Sequence, residues 1–254
     1  MKAMLGARHL KSKMTSLAAS AALGLGCAAV MSLAATPAHA ETLCGWTVTG
    51  AIGAYIKANY SWLGCPINNE SYVSPGWYQD TARGYTVFYS NATGIHWSHG
   101  AIGNNIKNNL SRYGYPTRGM ISAGAGWYQN TANGYTVFYS DATGLHWSHG
   151  AIGSNIRANL SWYGYPTNNI HDWNQPGGYA QDTYNGFTVV WSGDTGLHYL
   201  YGPVRSCILK YADQNAGWLG FPNTNPTQLS PHAWRQNTTK HVIYWFSSIG
   251  CSFD

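Results

Sequence analysis

Charged side chains are scarce in this chain. Its 254 residues include only 14 Lys and Arg and 9 Asp and Glu, and four of the basic residues lie in the first 13 positions. An apolar run at 17–33 follows them and leads to Ala38-His39-Ala40. A basic start, an apolar run and an A-x-A site predict a cleaved secretory signal peptide over residues 1–40. The rest, 41–254, holds ten basic and nine acidic residues, so it lacks the positive footprint that nucleic acids or anionic membranes require.

Long apolar segments are also lacking outside the N-terminus. A retained membrane anchor needs about 20 consecutive apolar residues. The run at 17–33 is interrupted by Ser20 and several glycines and is followed by the predicted cleavage site. We therefore expect a secreted protein, extracellular or associated with the cell wall, without a transmembrane anchor.

Catalytic motifs are a third absence. The sequence contains no G-x-S-x-G and no H-E-x-x-H, which are signatures of serine hydrolases and zinc proteases. Asp80 and Asp182 recur only partially, because Asn130 and Asn237 stand at the matching positions of other copies. A glycosidase needs two fixed carboxylates. We predict a protein that is not an enzyme and needs no cofactor, with an unrecognised cell-wall hydrolase as an alternative.

What the chain has in abundance is aromatic residues and an internal repeat. It contains 12 Trp and 19 Tyr, and residues 76–102 match residues 126–152 at all but four of 27 positions. Repetition at a period of 50 residues indicates a repeat architecture. Within residues 41–254 we identify four copies, whose helical portions start near Gly50, Gly100, Gly150 and Gly202.

Each copy combines a helical and a strand pattern. Apolar residues at Ile102, Ile106 and Leu110 mark one face of a short helix. The β-branched and aromatic segment 85–90, followed by a turn containing Gly94, predicts a hairpin. The fold class is therefore mainly β with short helices, in four tandem repeats of about 50 residues that stabilise one another by stacking. Repeats of this length fit propeller blades, so we expect a propeller-like closed ring.

The cysteines extend the ring prediction. Four remain after the signal peptide, at Cys44, Cys65, Cys207 and Cys251, and an oxidising compartment allows three pairings. The two chain ends fall at the same point of the repeat, so a closed ring would bring them together. We therefore favour Cys44–Cys251 with Cys65–Cys207. The pairing Cys44–Cys65 with Cys207–Cys251 would staple each end locally and needs no ring.

Two motifs recur in register along the chain. The fourth copy contains Leu219-Gly220-Phe221-Pro222. Variants of it stand at 63–66, 113–116 and 163–166, and Thr-Gly-x-His segments stand at 93–96, 143–146 and 195–198. Together they resemble the LGFP repeat family from about Leu43 to the C-terminus. The resemblance implies a secreted or cell-envelope protein of the actinobacterial type, attached to envelope polysaccharide. The acidic pair that often follows the Pro in that family is missing here, and so is its usual enzymatic partner domain.

Paired histidines suggest a metal site at first sight. His96 and His99, and the copy at 146–149, have the spacing His-x-x-His. In a strand, residues i and i+3 point to opposite faces, so one such segment would not chelate an ion. The third copy keeps only one of the pair, His198. The pattern therefore favours structural histidines and no metal.

The recurring aromatic residues permit two interpretations. They fill space between the repeats, or they bind the apolar face of a sugar beside amide and imidazole groups. Repeated weak sites would add avidity on a neutral polymer. The candidate carbohydrate-binding residues are Trp77, Gln79, His96, Trp97, Trp127, Gln129, His146, Trp147, Gln181, His198 and Tyr199.

The sequence thus predicts a secreted, non-catalytic repeat module that binds a cell-envelope or environmental carbohydrate. A module that binds or inhibits another protein at the cell surface is the alternative from a different class.

Overall fold

A computed structural model describes residues 40–173, 176–214 and 217–254, without the side chains of residues 213 and 214. Residues 1–39 of the predicted signal peptide lie outside this part. In the described ranges the chain forms one two-stranded hairpin and four sheets, each of four antiparallel strands in chain order. This is the strand number and meander order of a propeller blade. The predicted mainly β repeat fold with short helices is confirmed to this level.

The hairpin and the four sheets follow one another along the chain. The hairpin contains β1 Glu41–Leu43 and β2 Trp46–Val48; the first sheet β3 Ser71–Val73, β4 Gly76–Asp80, β5 Tyr85–Ser90 and β6 Gly94–His99; the second β7 Ile121–Ala123, β8 Gly126–Asn130, β9 Tyr135–Ser140 and β10 Gly144–His149; the third β11 His171–Asp172, β12 Gly178–Asp182, β13 Thr188–Ser192 and β14 Gly196–Leu200; the fourth β15 Thr227–Ser230, β16 Ala233–Asn237, β17 Val242–Phe246 and β18 Gly250–Phe253.

Short helices precede each four-stranded sheet. They are α1 Gly50–Ala58, α2 Tyr60–Leu63, α3 Gly100–Asn108, α4 Leu110–Tyr113, α5 Gly150–Ala158, α6 Leu160–Tyr163 and α7 Gly202–Gln214. We call a helical segment together with the sheet that follows it a unit, so that the units cover residues 50–99, 100–149, 150–201 and 202–254.

The third strand of each sheet explains how the units stack. Val87 and Phe88 on β5 are both buried, yet they belong to different hydrophobic clusters. Val87 packs with Ile52 of α1, whereas Phe88 packs with Ile102 of α3. Because successive residues of a strand face opposite sides, each of the first three sheets is covered by its own helix on one face and by the next helix on the other. Full burial of one Ile or Phe side chain stabilises the fold by roughly 1.5–3 kcal/mol.

The aromatic residue of the Gly-x-Pro motif joins adjacent units. The Tyr115 hydroxyl donates to the carbonyl oxygen of Val73 in the preceding unit at 2.6 Å. Its ring lies so close to Gly76 that a Cβ there would come within 2.7 Å of the ring. Only a glycine permits this approach. The recurrence of the motif therefore reflects the junctions between units.

The predicted closed ring is not found. In the described ranges, no strand pairing connects β1 or β2 with the fourth sheet, which already has four strands of its own. The chain start nevertheless lies at the position of the repeat that the sequence predicts. Gln79 donates to the carbonyl oxygen of Thr47 at 3.2 Å, as Gln129 does to that of Trp97 at 2.9 Å. Relative to the first unit, the hairpin therefore occupies the position that a preceding sheet occupies relative to the later units. The strands of the fourth sheet do not pair with the hairpin.

The favoured disulfide pairing is wrong. Cys44 pairs with Cys65, and Cys207 pairs with Cys251, so all four cysteines are bridged but each bond lies within one end of the chain. The first pairing follows from packing, because Leu43 of the hairpin contacts the hydrophobic cluster formed by α1 and α2. Helix α2 ends at Leu63, shortly before Cys65. Cys65 stands where the later units have the junction aromatic. A covalent bond thus holds the first unit, which has no full sheet before it.

The helices of the described residues are short. None of them is long and apolar enough to cross a membrane.

Candidate functional site

The glutamines predicted as ligand contacts lie in the interior. Gln79, Gln129 and Gln181 are fully buried, at 0% exposure. Gln129 Nε2 donates to the carbonyl oxygen of Trp97 at 2.9 Å and to that of Arg118 at 2.8 Å. It therefore ties the last strand of one unit to the loop of the next. No surface for a ligand includes these side chains in this structure, which corrects their assignment as sugar contacts.

The same clamp recurs at every junction, including the fourth copy, which the sequence did not single out. The acceptor pairs are Thr47 and Asn68 for Gln79, Trp147 and Asn168 for Gln181, and Tyr199 and Thr224 for Gln236. Within the described residues the Oε1 atom of each glutamine has no hydrogen-bond partner. The recurrence of Gln at one repeat position is the signal that identifies a structural clamp.

The first histidine of each pair closes a turn. His96, His146 and His198 are partly buried, and each directs Nε2 at the carbonyl oxygen of the Thr three residues earlier, at 2.9, 2.9 and 3.0 Å. A carbonyl oxygen only accepts hydrogen bonds, so Nε2 carries the proton in all three. These rings hold the turn between the third and fourth strands, so their Nε2–H groups are already used within the protein and are not free for a ligand.

The second histidine of each pair faces solvent. His99 packs against Tyr85 and His149 against Tyr135 with tilted rings, each pair with centroids 4.5 Å apart. His149 Nε2 also lies 3.1 Å from the carbonyl oxygen of Asn133. The part of the chain that the structure describes contains no group of three or more His, Cys, Asp or Glu that could hold a metal ion.

Two sets of aromatic residues remain, and they differ in exposure. Trp77, Trp127 and Tyr179, at the same place in the second strand of each sheet, are 42%, 43% and 44% exposed. Trp97 and Trp147, on the fourth strand, are half-buried. The half-buried set therefore contributes to packing and also presents part of each ring.

Each half-buried ring belongs to a cluster with a residue from the short second helix of its unit. Trp97 lies 5.5 Å from Trp62 of α2 and 5.6 Å from Tyr85, centroid to centroid. Tyr199 lies 4.8 Å from Trp162 of α6. Sequence reasoning missed the helical members, although Trp62 and Trp162 are separated by two repeat periods.

The structure brings the two aromatic sets together across the junctions. Trp97 of the first unit and Trp127 of the second line one cavity of about 480 Å³. Trp147 and Tyr179 line the next, of about 670 Å³. The third, of about 490 Å³, lies between Tyr199 and Trp234. We call these cavities the first, second and third junction pockets; their volumes lie within the range of small-molecule sites.

The pockets differ in charge. No Lys, Arg, Asp or Glu lines the first or third pocket, whereas the second includes Arg112 and Asp172. Burial raises the pKa of Tyr199 in the third pocket. A tyrosine hydroxyl can both donate and accept hydrogen bonds. Hydroxyl and imidazole groups around flat rings suit a ligand with an apolar face and a rim of hydroxyls.

The contact between the β1–β2 hairpin and the first unit lacks this arrangement. Thr47 stands where Trp97 and Trp147 stand in the following junctions, so the exposed ring of Trp77 has no tryptophan opposite it. Trp77 instead packs against Tyr72, with ring centroids 4.7 Å apart. Among the sequence-predicted aromatic residues, Trp77 is therefore the one that lies outside the three pockets.

Comparison with known proteins adds little. Among solved structures, the chain is similar to BamB from Moraxella catarrhalis at 12% sequence identity, with 81% of this chain and 62% of that chain covered and a TM-score of 0.16. The chain thus spans less than two thirds of that protein's chain, and a likeness at this TM-score carries no argument. No protein-family model matches the sequence, and no curated protein matches it. The resemblance to LGFP repeats stays a prediction from the motifs.

Proposed function

We propose that this protein is a secreted, non-catalytic module whose junction pockets bind a cell-envelope or environmental polysaccharide. The observation that carries the proposal is that aromatic rings of two adjacent units line each cavity of 480–670 Å³, and that one of these rings is exposed in the first and second pockets. Sugar rings present apolar C–H faces to aromatic side chains and hydroxyls to polar groups. The tryptophans and tyrosines of these pockets provide both kinds of contact.

Repetition explains how weak pockets would hold a polymer. One sugar residue per pocket gives a small contact area, but pockets on consecutive units of one chain can engage the same polysaccharide. Once the first pocket is occupied, the next binding event is intramolecular, and overall affinity rises without new contacts. We therefore expect retention to fall steeply when two pockets are removed together.

Retention on insoluble cell wall tests the proposal. The double variant Trp127→Ala, Tyr179→Ala removes the exposed ring of the first and second pockets. Because these rings are 43% and 44% exposed, their loss should leave the fold intact, which circular dichroism checks. The matched control is Trp77→Ala, which removes an equally exposed ring outside the pockets. We expect the double variant to be lost from the cell wall and the control to be retained.

Removing the wall glycans separates the competing functions. Binding that disappears with the glycans and with the double variant supports carbohydrate recognition. Binding that survives removal of the glycans indicates a protein partner, and equal retention of the double variant and the control contradicts a role for the pockets.

A further inference from the structure

The second junction pocket differs from its neighbours at one position on the short helix. Arg112 of α4 stands where Trp62 and Trp162 stand on α2 and α6. The indole of Trp162 thus lines the third pocket, whereas the guanidinium of Arg112 lines the second.

Aromatic rings hold the guanidinium of Arg112 in place. Its Cζ lies 3.8 Å from the ring centroid of Trp147 and 5.4 Å from that of Tyr135. A planar cation stacked on a ring is attracted by the negative face of the ring and keeps its N–H groups directed outward along its edge. The Trp147 face is therefore occupied by the cation, and the ligand meets the donor edge.

This cation has no acidic partner within the described residues. The ion pairs there join Lys57 to Glu41, Lys107 to Asp80 and Arg205 to Asp182. Arg112 also lines the cavity itself. Its Nε donates to the Tyr135 hydroxyl at 3.4 Å. An arginine without an acidic partner at a cavity wall suits a carboxylate, which its remaining N–H groups can bind through two parallel hydrogen bonds.

Another wall of the same pocket offers an aromatic face and polar groups. Tyr179 is 44% exposed, and its neighbour on the adjacent strand is Asp172. His171 and Asp172 are both exposed and line the cavity. Because the pocket contains one positive and one negative group, net charge does not attract an anion to it. A carboxylate must instead be placed at Arg112, with hydroxyls toward Asp172.

We propose that the second junction pocket recognises a sugar residue bearing a carboxylate, a uronic acid, whose carboxylate binds Arg112 while its ring stacks on Tyr179. This inference rests on the proposed function and adds a substrate class for one of the three pockets. The first and third pockets, which no charged residue lines, would accept neutral residues of the same polymer.

The test compares trigalacturonic acid with its methyl ester, which has the same rings without the charge. Calorimetry on the protein comprising residues 41–254 should show the acid binding about tenfold or more tightly than the ester, because a hydrogen-bonded charge pair is worth that much. Arg112→Trp installs the residue that stands at this helix position in the first and third units and that lines the third pocket as Trp162. It should lower affinity for the acid to that of the ester and leave the ester unchanged.

Two further variants keep the inference falsifiable. Arg112→Lys retains the charge without the planar fork, and we expect it to keep only part of the preference. Trp162→Arg places a guanidinium in the third pocket and should increase affinity for the acid. Equal affinity of the unaltered protein for acid and ester, or a preference that survives Arg112→Trp, would overturn the inference. In either case binding of the ester would leave the proposed function standing, while binding of neither probe overturns the inference and leaves the cell-wall assay to decide the function.

Discussion

The glutamine clamp gives the sharpest prediction about stability. Gln129 is fully buried and donates to two carbonyl oxygens that belong to different units, those of Trp97 and Arg118. Gln129→Met keeps the length and much of the volume of the side chain but removes both donors. The junction between the first and second units should therefore weaken without a large cavity.

The magnitude follows from the groups left unpaired. Each buried carbonyl that loses its donor costs ~1–3 kcal/mol. The variant also removes Oε1 of Gln129, which has no partner among the described residues. Removing this unpaired oxygen recovers the penalty of one such group, so the net loss in the free energy of unfolding is ~1–3 kcal/mol.

Urea denaturation followed by circular dichroism measures this loss. With a slope of about 1–3 kcal/mol per molar urea, the midpoint should fall by roughly 1 M. The matched control is Gln228→Met, which makes the same change at an exposed position on β15. A free-energy change below about 0.5 kcal/mol for Gln129→Met, the size typical of surface substitutions, would refute the clamp.

Three further predictions follow from the same structure. Peptide mapping without reduction should recover Cys44 linked to Cys65 and Cys207 linked to Cys251. A peptide that links Cys44 to Cys251 would instead support the closed ring. Burial raises the pKa of Tyr165 to about 12, so its stabilising effect is complete below pH 10 and is lost as the pH rises through 12, because the unfolded chain ionises first. The urea midpoint should thus fall over that range, less so for Tyr165→Phe, and an equal fall in both would count against this cause. A chelator should change neither the melting temperature nor retention on cell wall, and a lower melting temperature would indicate a metal site.

Local elements could be predicted from the sequence because each depends on neighbouring residues. The β-branched and aromatic residues of segment 85–90 predict a strand, and the structure has β5 at those bounds. The short helices follow from apolar residues spaced to form one face, as at Ile102 and Ile106. Patterns of period two and 3.6 directly report which face is buried.

The roles of individual polar side chains could not be predicted in the same way. A buried amide and an amide that binds a ligand have the same residue type and the same repeat spacing, so Gln129 was assigned to the wrong class. The distinction depends on the carbonyl of Trp97, 32 positions away. The position of Arg112 on the ring of Trp147 is equally non-local.

Closure of the repeats was the largest error. The two chain ends do lie at equivalent positions of the repeat, as inferred. Equivalent repeat positions do not require that the two ends contact each other. The β1–β2 hairpin packs on α1 through Leu43, and the bond between Cys44 and Cys65 holds it there. The burial that the hairpin needs is therefore supplied within the first unit.

The indole N–H resonances of the tryptophans test the central claim most directly. The chain has 12 Trp, and single Trp→Phe variants assign their signals in a two-dimensional ¹H–¹⁵N spectrum. On titration with an oligosaccharide released from the polysaccharide that retains the protein, we predict that the signals of Trp127 and Trp147 shift and that of Trp77 stays in place. If a saturating amount leaves both pocket signals unmoved, or shifts Trp77 alone, the junction pockets are not the binding sites.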